Sequence, residues 1–339
     1  MDRAQDESER SRVFERITDA YVALDTQWRY TYVNATAGAM FGRDPASLIG
    51  KHIWTEFPEG LGQPFHLAYE QAMAEQQPVT LVAHYAPYDR WFENRIYPSR
   101  DGLTIYFNDI TPQKRAEQFG CTVQRMTAGE NPEVSDGIRF IAPSEHLIEV
   151  YHAQTLIGTE VGTHNPDAFP RHLVGVGVPA LDHSLITAED PGLMDRFLTA
   201  VFDFYPTERV QTSLDSDADI IATWMTSNNQ IHQLAVLAGP NSKLHHFAFR
   251  LGDWVEVGRA ADLFSMDDVP IDIGPTRHGI TRGQTVYFFD PSGNRNEVFA
   301  GGYLAYRDRP VSVWTPEQLG KGIFYHAREI NDRFTTVLT

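Results

Sequence analysis

Two short apolar strands, each with a histidine near its centre, constrain this chain more than any other feature. Leu181-Asp182-His183-Ser184-Leu185-Ile186 and Leu244-His245-His246-Phe247-Ala248-Phe249 set His183 and His246 63 residues apart. Amphipathic helical periodicity follows each run, over about 192–204 and 253–264, and then further strand-like runs. The order predicts two β-α-β-β-β units with equivalent histidines. Adjacent residues on a strand point to opposite faces, so of His245 and His246 only one can share the face of His183. The stretch Thr315-Pro316-Glu317-Gln318 has an N-cap residue, Pro at N1 and Gln at N3, and predicts a terminal helix.

Composition narrows the chemistry. Of 339 residues, 28 are Lys or Arg and 45 are Asp or Glu, a net charge of −17 that argues against phosphate-backbone recognition. Apolar stretches such as the one from Leu173 to Leu181 are too short to span a bilayer, and the opening residues carry no apolar signal region. Cys121 is the single cysteine, which excludes an intrachain disulfide and a cysteine-built metal site. A soluble, cytoplasmic protein is expected, without nucleic-acid or membrane partners, whose chemistry rests on carboxylates and on some of its 13 histidines.

Residues 1–12 are a polar segment. Beyond them, residues 21–25 and 30–33 read as a hairpin across Thr26-Gln27, and 35–41 as a helix ended by Gly42. Helical periodicity at 64–75 precedes strand-like runs at 79–85, 90–97 and 103–108, the last two joined at Asp101-Gly102. With Tyr32-Val33-Asn34, Phe41-Gly42-Arg43, Leu48-Ile49-Gly50-Lys51, Trp91-Phe92-Glu93 and a closing Asp109-Ile110-Thr111, residues 13–111 resemble a PAS sensory domain. The resemblance implies an antiparallel sheet with short helices, a connecting helix at 112–119 and room for an unidentified small ligand. A photoreactive flavin-binding PAS needs a cysteine here, and none precedes Cys121. His52, His66 and His84 are available as haem ligands, though isolated histidines are more often packing or surface residues.

In the second half, two imidazoles and a carboxylate are the donor set of non-haem Fe(II) oxygenases, and the same donors suit zinc. His183, His246 and Glu297 could supply that set. The run from His278 to Glu297 strengthens this reading. A strand bearing Tyr287 ends at Asp290-Pro291-Ser292-Gly293, where Pro and Gly favour a reversal, and the returning strand brings Glu297 back toward Tyr287.

His278, Tyr287, the Asp-Pro-Ser-Gly turn and Glu297 together match the extradiol ring-cleaving dioxygenases. Further matches are Arg139-Phe140-Ile141-Ala142-Pro143, Leu244-His245-His246, Ala260-Ala261-Asp262-Leu263 and Gln318-Leu319-Gly320-Lys321. From residue 120 to 339 the chain resembles the catechol 2,3-dioxygenases of the vicinal-oxygen-chelate superfamily. The resemblance implies an α+β fold of paired β-α-β-β-β modules and Fe(II) held by His183, His246 and Glu297. His232 would do acid–base work, and His278 and Tyr287 would orient the substrate. The expected reaction is meta cleavage of a catechol with O2, in a homo-oligomer. A non-catalytic aromatic-binding protein or sensor is the alternative. Trp224, Phe247 and Phe299 are candidate pocket walls.

One departure stands out. The family carries four such modules. Here residues 120–152 read as part of one, ahead of the catalytic part at 153–339, and the PAS-like half takes the place of the rest. The PAS-like half is therefore expected to replace missing scaffold and to influence the enzyme half.

Overall fold

The computed structural model describes residues 19–155 and 174–339, so the polar segment 1–12 and the start of the apolar stretch at Leu173 lie outside the described residues. The chain divides into two compact units, 1–114 and 115–339.

In the first unit, β1 (Ala20–Asp25), β2 (Tyr30–Val33), β3 (Val79–Tyr85), β4 (Arg90–Ser99) and β5 (Gly102–Asp109) form one antiparallel sheet in the order β2-β1-β5-β4-β3. Three helices sit between β2 and β3: α1 (Ala35–Phe41), α2 (Ile53–Glu56) and α3 (Pro64–Glu75). Asn34 starts α1 by accepting from the amide of Ala37, and the same Oδ1 accepts from Tyr21, so the cap also fixes the helix to β1. Gly42 ends that helix at φ 62°, a left-handed conformation that favours glycine. The three histidines weighed as haem ligands have ordinary duties: His52 caps α2, while His66 and His84 pair with Glu70 and Asp89.

Helix α4 (Thr111–Gln118) leads into the second unit, where Ala116 is fully buried with Phe140 and Phe197. Within the segment 120–152, β6 (Gln124–Met126), β7 (Gly137–Ile141) and β8 (Leu147–Tyr151) form an antiparallel meander. Phe140 of β7 meets Phe197 at 6.2 Å between ring centroids.

The predicted pair of modules is present. The first comprises β9 (Leu181–Ala188), α5 (Pro191–Phe202), β10 (Tyr205–Gln211), β11 (Ile220–Thr226) and β12 (Leu234–Ala238). The second comprises β13 (Lys243–Arg250), α6 (Trp254–Met266), β14 (Ile271–Arg277), β15 (Gly283–Phe289) and β16 (Arg295–Gly301). Both helices start on an aspartate cap, Asp190 and Asp253, whose side chain accepts from first-turn amides. The strands join in a nine-stranded sheet, β14-β15-β16-β13-β9-β12-β11-β10-β17, with β17 at Ser312–Trp314. In each module the first strand runs parallel to the last, and the modules meet where β13 pairs antiparallel with β9. That seam sets His183 and His246 on neighbouring strands.

The predicted terminal helix is much reduced. Thr315 makes no side-chain cap, and a single 3-10 turn passes into the short α7 (Leu319–Ile323), with α8 (Asp332–Thr336) further on. Two glycines, Gly320 and Gly322, lower helix propensity in this stretch.

Candidate active site

His183, His246 and Glu297 each offer one ligand atom, all within 4.8 Å of one another and all on buried residues. The strand register produces this. His183 pairs with Ala248 across the seam, Ala248 also faces Glu297 on β16, and Tyr287 on β15 is the cross-strand partner of Glu297. The Nε2 atoms of His183 and His246 lie 3.2 and 3.1 Å from Glu297 Oε2. His278 Nε2 is 3.5 Å from the other oxygen and 3.1 Å from the Tyr287 hydroxyl. The His232 ring lies 3.9 Å from that of His183.

His183, His232, His246, His278 and Tyr287 line one cavity of about 390 Å3 including its mouth, walled by Trp224, Ile280, Phe299, Ile323 and Phe334 among others. Of the aromatic wall candidates, Trp224 and Phe299 are present there and Phe247 is not. It follows His246 on the strand, faces away and is 43% exposed, as alternation requires. Gly283 makes the position of Phe299 possible: a Cβ there would stand 2.2 Å from the Phe299 ring.

Alternation misplaces the neighbouring residue. His245 is 1% exposed, and its Nδ1 lies 2.7 Å from His246 Nδ1. A register shift between Leu244 and His246 breaks the period of two, so both histidines turn inward. His245 Nε2 reaches the carbonyl of Phe334 at 2.6 Å.

The second tier of contacts came from residues that sequence reasoning did not single out. Asp182 Oδ1 bonds His183 Nδ1 at 2.8 Å and accepts from Gln230, while Arg250 Nε donates to the other carboxylate oxygen. Arg295, 2% exposed, pairs with Asp272 at 2.8 Å and donates to the carbonyls of Val337 and Arg333. It thereby ties the end of the chain beneath the site. The proximity of Asp182 to His183 and of Arg295 to Glu297 in the sequence was the available signal.

Burial alone would lower the His183 pKa, but hydrogen bonds to Asp182 and Glu297 outweigh it and raise it to about 9. Burial would raise Glu297, yet three histidine contacts hold it well below the usual carboxylate range. Burial lowers His232, His245 and His246, and it pushes the Tyr287 hydroxyl well up, helped by the charge of Glu297. The centre is one carboxylate crowded by imidazoles. Glu297 Oε1, His246 Nε2 and His232 Nδ1 are buried without hydrogen-bond partners among the described residues. The unpaired His246 Nε2 and Glu297 Oε1, beside His183 Nε2, are a donor set that fits a divalent metal, and Asp182 behind His183 is the carboxylate partner that metal-binding histidines commonly have.

Residues 14–115 match the PAS fold, and residues 180–298 match the glyoxalase, bleomycin resistance protein and dioxygenase superfamily. The metapyrocatechase of Pseudomonas sp. strain CF600 is 43% identical over 223 residues, covering 65% of this chain and 72% of that protein. A manganese-dependent 2,3-dihydroxybiphenyl 1,2-dioxygenase of Geobacillus genomosp. 3 is 28% identical over 226 residues, covering 63% and 71%. Among solved structures, the 2,3-dioxygenase LapB from Pseudomonas sp. KL28 aligns with a TM-score of 0.56 at 33% identity, over 73% of this chain and 92% of that one. Identity and coverage on this scale make this chain a member of the metapyrocatechase family of extradiol dioxygenases, here joined to a PAS fold.

Proposed function

We propose that this chain cleaves the ring of catechol or a substituted catechol beside its two hydroxyls, with Fe(II) held by His183, His246 and Glu297. One ring C–C bond breaks and both atoms of O2 enter the product, so catechol and O2 give 2-hydroxymuconate semialdehyde with no external reductant. The observation that carries the reading is the convergence of the three ligand atoms within 4.8 Å. Their cavity also holds His232, His278 and Tyr287.

When bound there, a divalent iron supplies Lewis acidity toward the two hydroxyls and an electron path between the ring and O2. The protein side chains do the rest. Asp182 fixes the ring of His183 through Nδ1, and His245 restrains His246 in the same way. His232 has its ring against His183 and an unpaired Nδ1, so it is poised to take and return a proton inside the cavity. His278 and Tyr287, bonded to each other at 3.1 Å, present a paired donor edge that would orient substrate oxygens. Trp224, Phe299 and Phe334 give the ring an apolar enclosure that excludes bulk water.

Mixing the Fe(II)-loaded protein with catechol in an oxygen electrode should consume one O2 per catechol and form the yellow ring-opened product. Manganese loading run in parallel tests the choice of metal, since a manganese-dependent relative exists. Catechol binding without oxygen uptake under either metal would replace this reading with a non-catalytic aromatic-binding protein.

A further inference from the structure

The first unit encloses a cavity of its own, about 610 Å3 including its mouth, which the proposed catalysis does not use. Aromatic rings dominate its walls, among them Tyr30, Phe41, Trp54, Phe65, Tyr69 and Phe107. Three side chains that line it carry a buried polar atom with no hydrogen-bond partner among the described residues: Trp54 Nε1, Asn94 Oδ1 and the Tyr85 hydroxyl. Trp54 and Asn94 are 8% and 4% exposed, so bulk solvent does not serve them. The Asn94 amide nitrogen donates to the Tyr69 hydroxyl at 2.7 Å, which fixes the amide and leaves Oδ1 free to accept. The His66 ring packs edge-on against the Trp54 indole at 4.8 Å and restricts it. An unmet donor and an unmet acceptor held in place inside an apolar cavity are costly unless a ligand completes them.

Charge selects the class of ligand. Among the described residues, no Lys, Arg, His, Asp or Glu lines this cavity. Burial pushes the hydroxyls of Tyr30 and Tyr69 well up and that of Tyr85 up to about 12, so a negative charge is disfavoured inside. Among the lining residues no cation faces a carboxylate or phosphate, the nearby Arg43 being paired with Glu56, and haem meets no axial histidine, because His52, His66 and His84 are absent from the lining. Among the described residues, the surroundings suit a flat, uncharged ring whose hydroxyl both donates and accepts.

We propose that the cavity of the first unit binds an uncharged monocyclic phenol, its ring against the aromatic wall and its hydroxyl paired with the unmet groups of Trp54, Asn94 and Tyr85. Two sources share this chemistry: a catechol of the kind proposed as substrate, and a monophenol from which hydroxylation would produce one. The site stands on the first unit alone and is independent of the catalytic reading.

The test is anaerobic titration calorimetry on the full, metal-loaded chain with phenol, catechol and benzoate, repeated on His246→Ala to disable the catalytic centre. Phenol should bind both chains equally, and benzoate neither. Asn94→Leu should weaken phenol binding by about tenfold, and Tyr85→Phe, which keeps the ring and the packing, by about fivefold. Catechol binding that persists in His246→Ala and falls in Tyr85→Phe identifies the dihydroxylated source; phenol binding alone identifies the other. The proposal fails if phenol does not bind, or if benzoate binds as well as phenol. It also fails if binding disappears in His246→Ala but is unchanged in Tyr85→Phe, which would put the phenol in the catalytic cavity.

Discussion

The Asp272 carboxylate has two guanidinium partners of opposite character, and this asymmetry makes a quantitative prediction. Arg295 is buried with a side-chain exposure of 1%, whereas Arg333, which also pairs with Asp272, is 54% exposed. Arg333→Ala removes an exposed partner, and such pairs contribute about 0–1 kcal/mol. Asp272→Asn keeps the shape but leaves the Arg295 charge buried without its counter-ion, and breaking a buried pair from one side costs about 3–5 kcal/mol. For a unit of this size each kcal/mol moves the melting point by about 2–4 °C, so Asp272→Asn should lower it by about 6–20 °C and Arg333→Ala by about 4 °C at most. Replacing the whole pair, in Asp272→Leu/Arg295→Met, should recover much of the loss because no uncompensated charge remains. Scanning calorimetry of the full chain gives the shifts, and hydrogen exchange in β14 and β16 assigns them to the second unit. If Asp272→Asn melts no earlier than Arg333→Ala, the pair does not hold the chain end as the geometry implies. Arg295 also bonds carbonyls next to Phe334, which walls the cavity, so Arg295→Met should raise KM for the aromatic substrate more than it lowers kcat.

Alanine at His183 or His246, or glutamine at Glu297, should each abolish stoichiometric metal binding, read by metal analysis after dialysis; a variant that keeps its metal and its turnover removes that residue from the ligand set. His232→Gln should retain metal and bind catechol while the chemical step slows by about a hundredfold, measured in single-turnover mixing. Glu208 accepts from Trp314 Nε1, the Tyr303 hydroxyl and the Thr281 amide, yet burial still raises its pKa above the usual carboxylate value. The folded state therefore holds this proton more tightly than the unfolded chain. The stability this contributes is complete below the unfolded pKa and is lost as pH rises through the folded one. Tryptophan fluorescence should accordingly titrate with a midpoint above the ordinary carboxylate value, and Trp314→Phe should remove that transition. A chain beginning at residue 120 lacks Ala116 and Phe119, which pack on the same cluster as Phe140 and Phe197, so it should aggregate in size-exclusion chromatography.

What the sequence disclosed was local or repeated. The strand–helix–strand order of both modules was legible because each period spans fewer than 70 residues and each helix has amphipathic periodicity. The Asp-Pro-Ser-Gly reversal predicts that Tyr287 and Glu297 come together, and in the sheet they are direct partners. The antiparallel strands and intervening short helices of the first unit followed from turn residues in the same way.

What stayed hidden depends on a break in period or on contacts between distant segments. Strict alternation put His245 on the far side of its strand, but one bulge brings it beside His246. A bulge leaves no mark in a six-residue apolar run, since either register buries some of it. The cap residues at 315–318 predict a helix near the chain end. Its weight instead lies in side-chain-to-carbonyl bonds made by Arg295, 38 and 42 residues earlier, and in the hydrogen bond between His245 and Phe334, 89 residues apart. The cavity of the first unit is the extreme case. Trp54 and Asn94 look like ordinary core residues of a helix and a strand, and only the folded unit shows that their polar atoms are left over. Unmet polar groups are a property of packing, and no spacing rule encodes them. The triad proposed for the metal, His183, His246 and Glu297, rests on motifs that are each local in the sequence, whereas a cavity needs only that some donors find nothing.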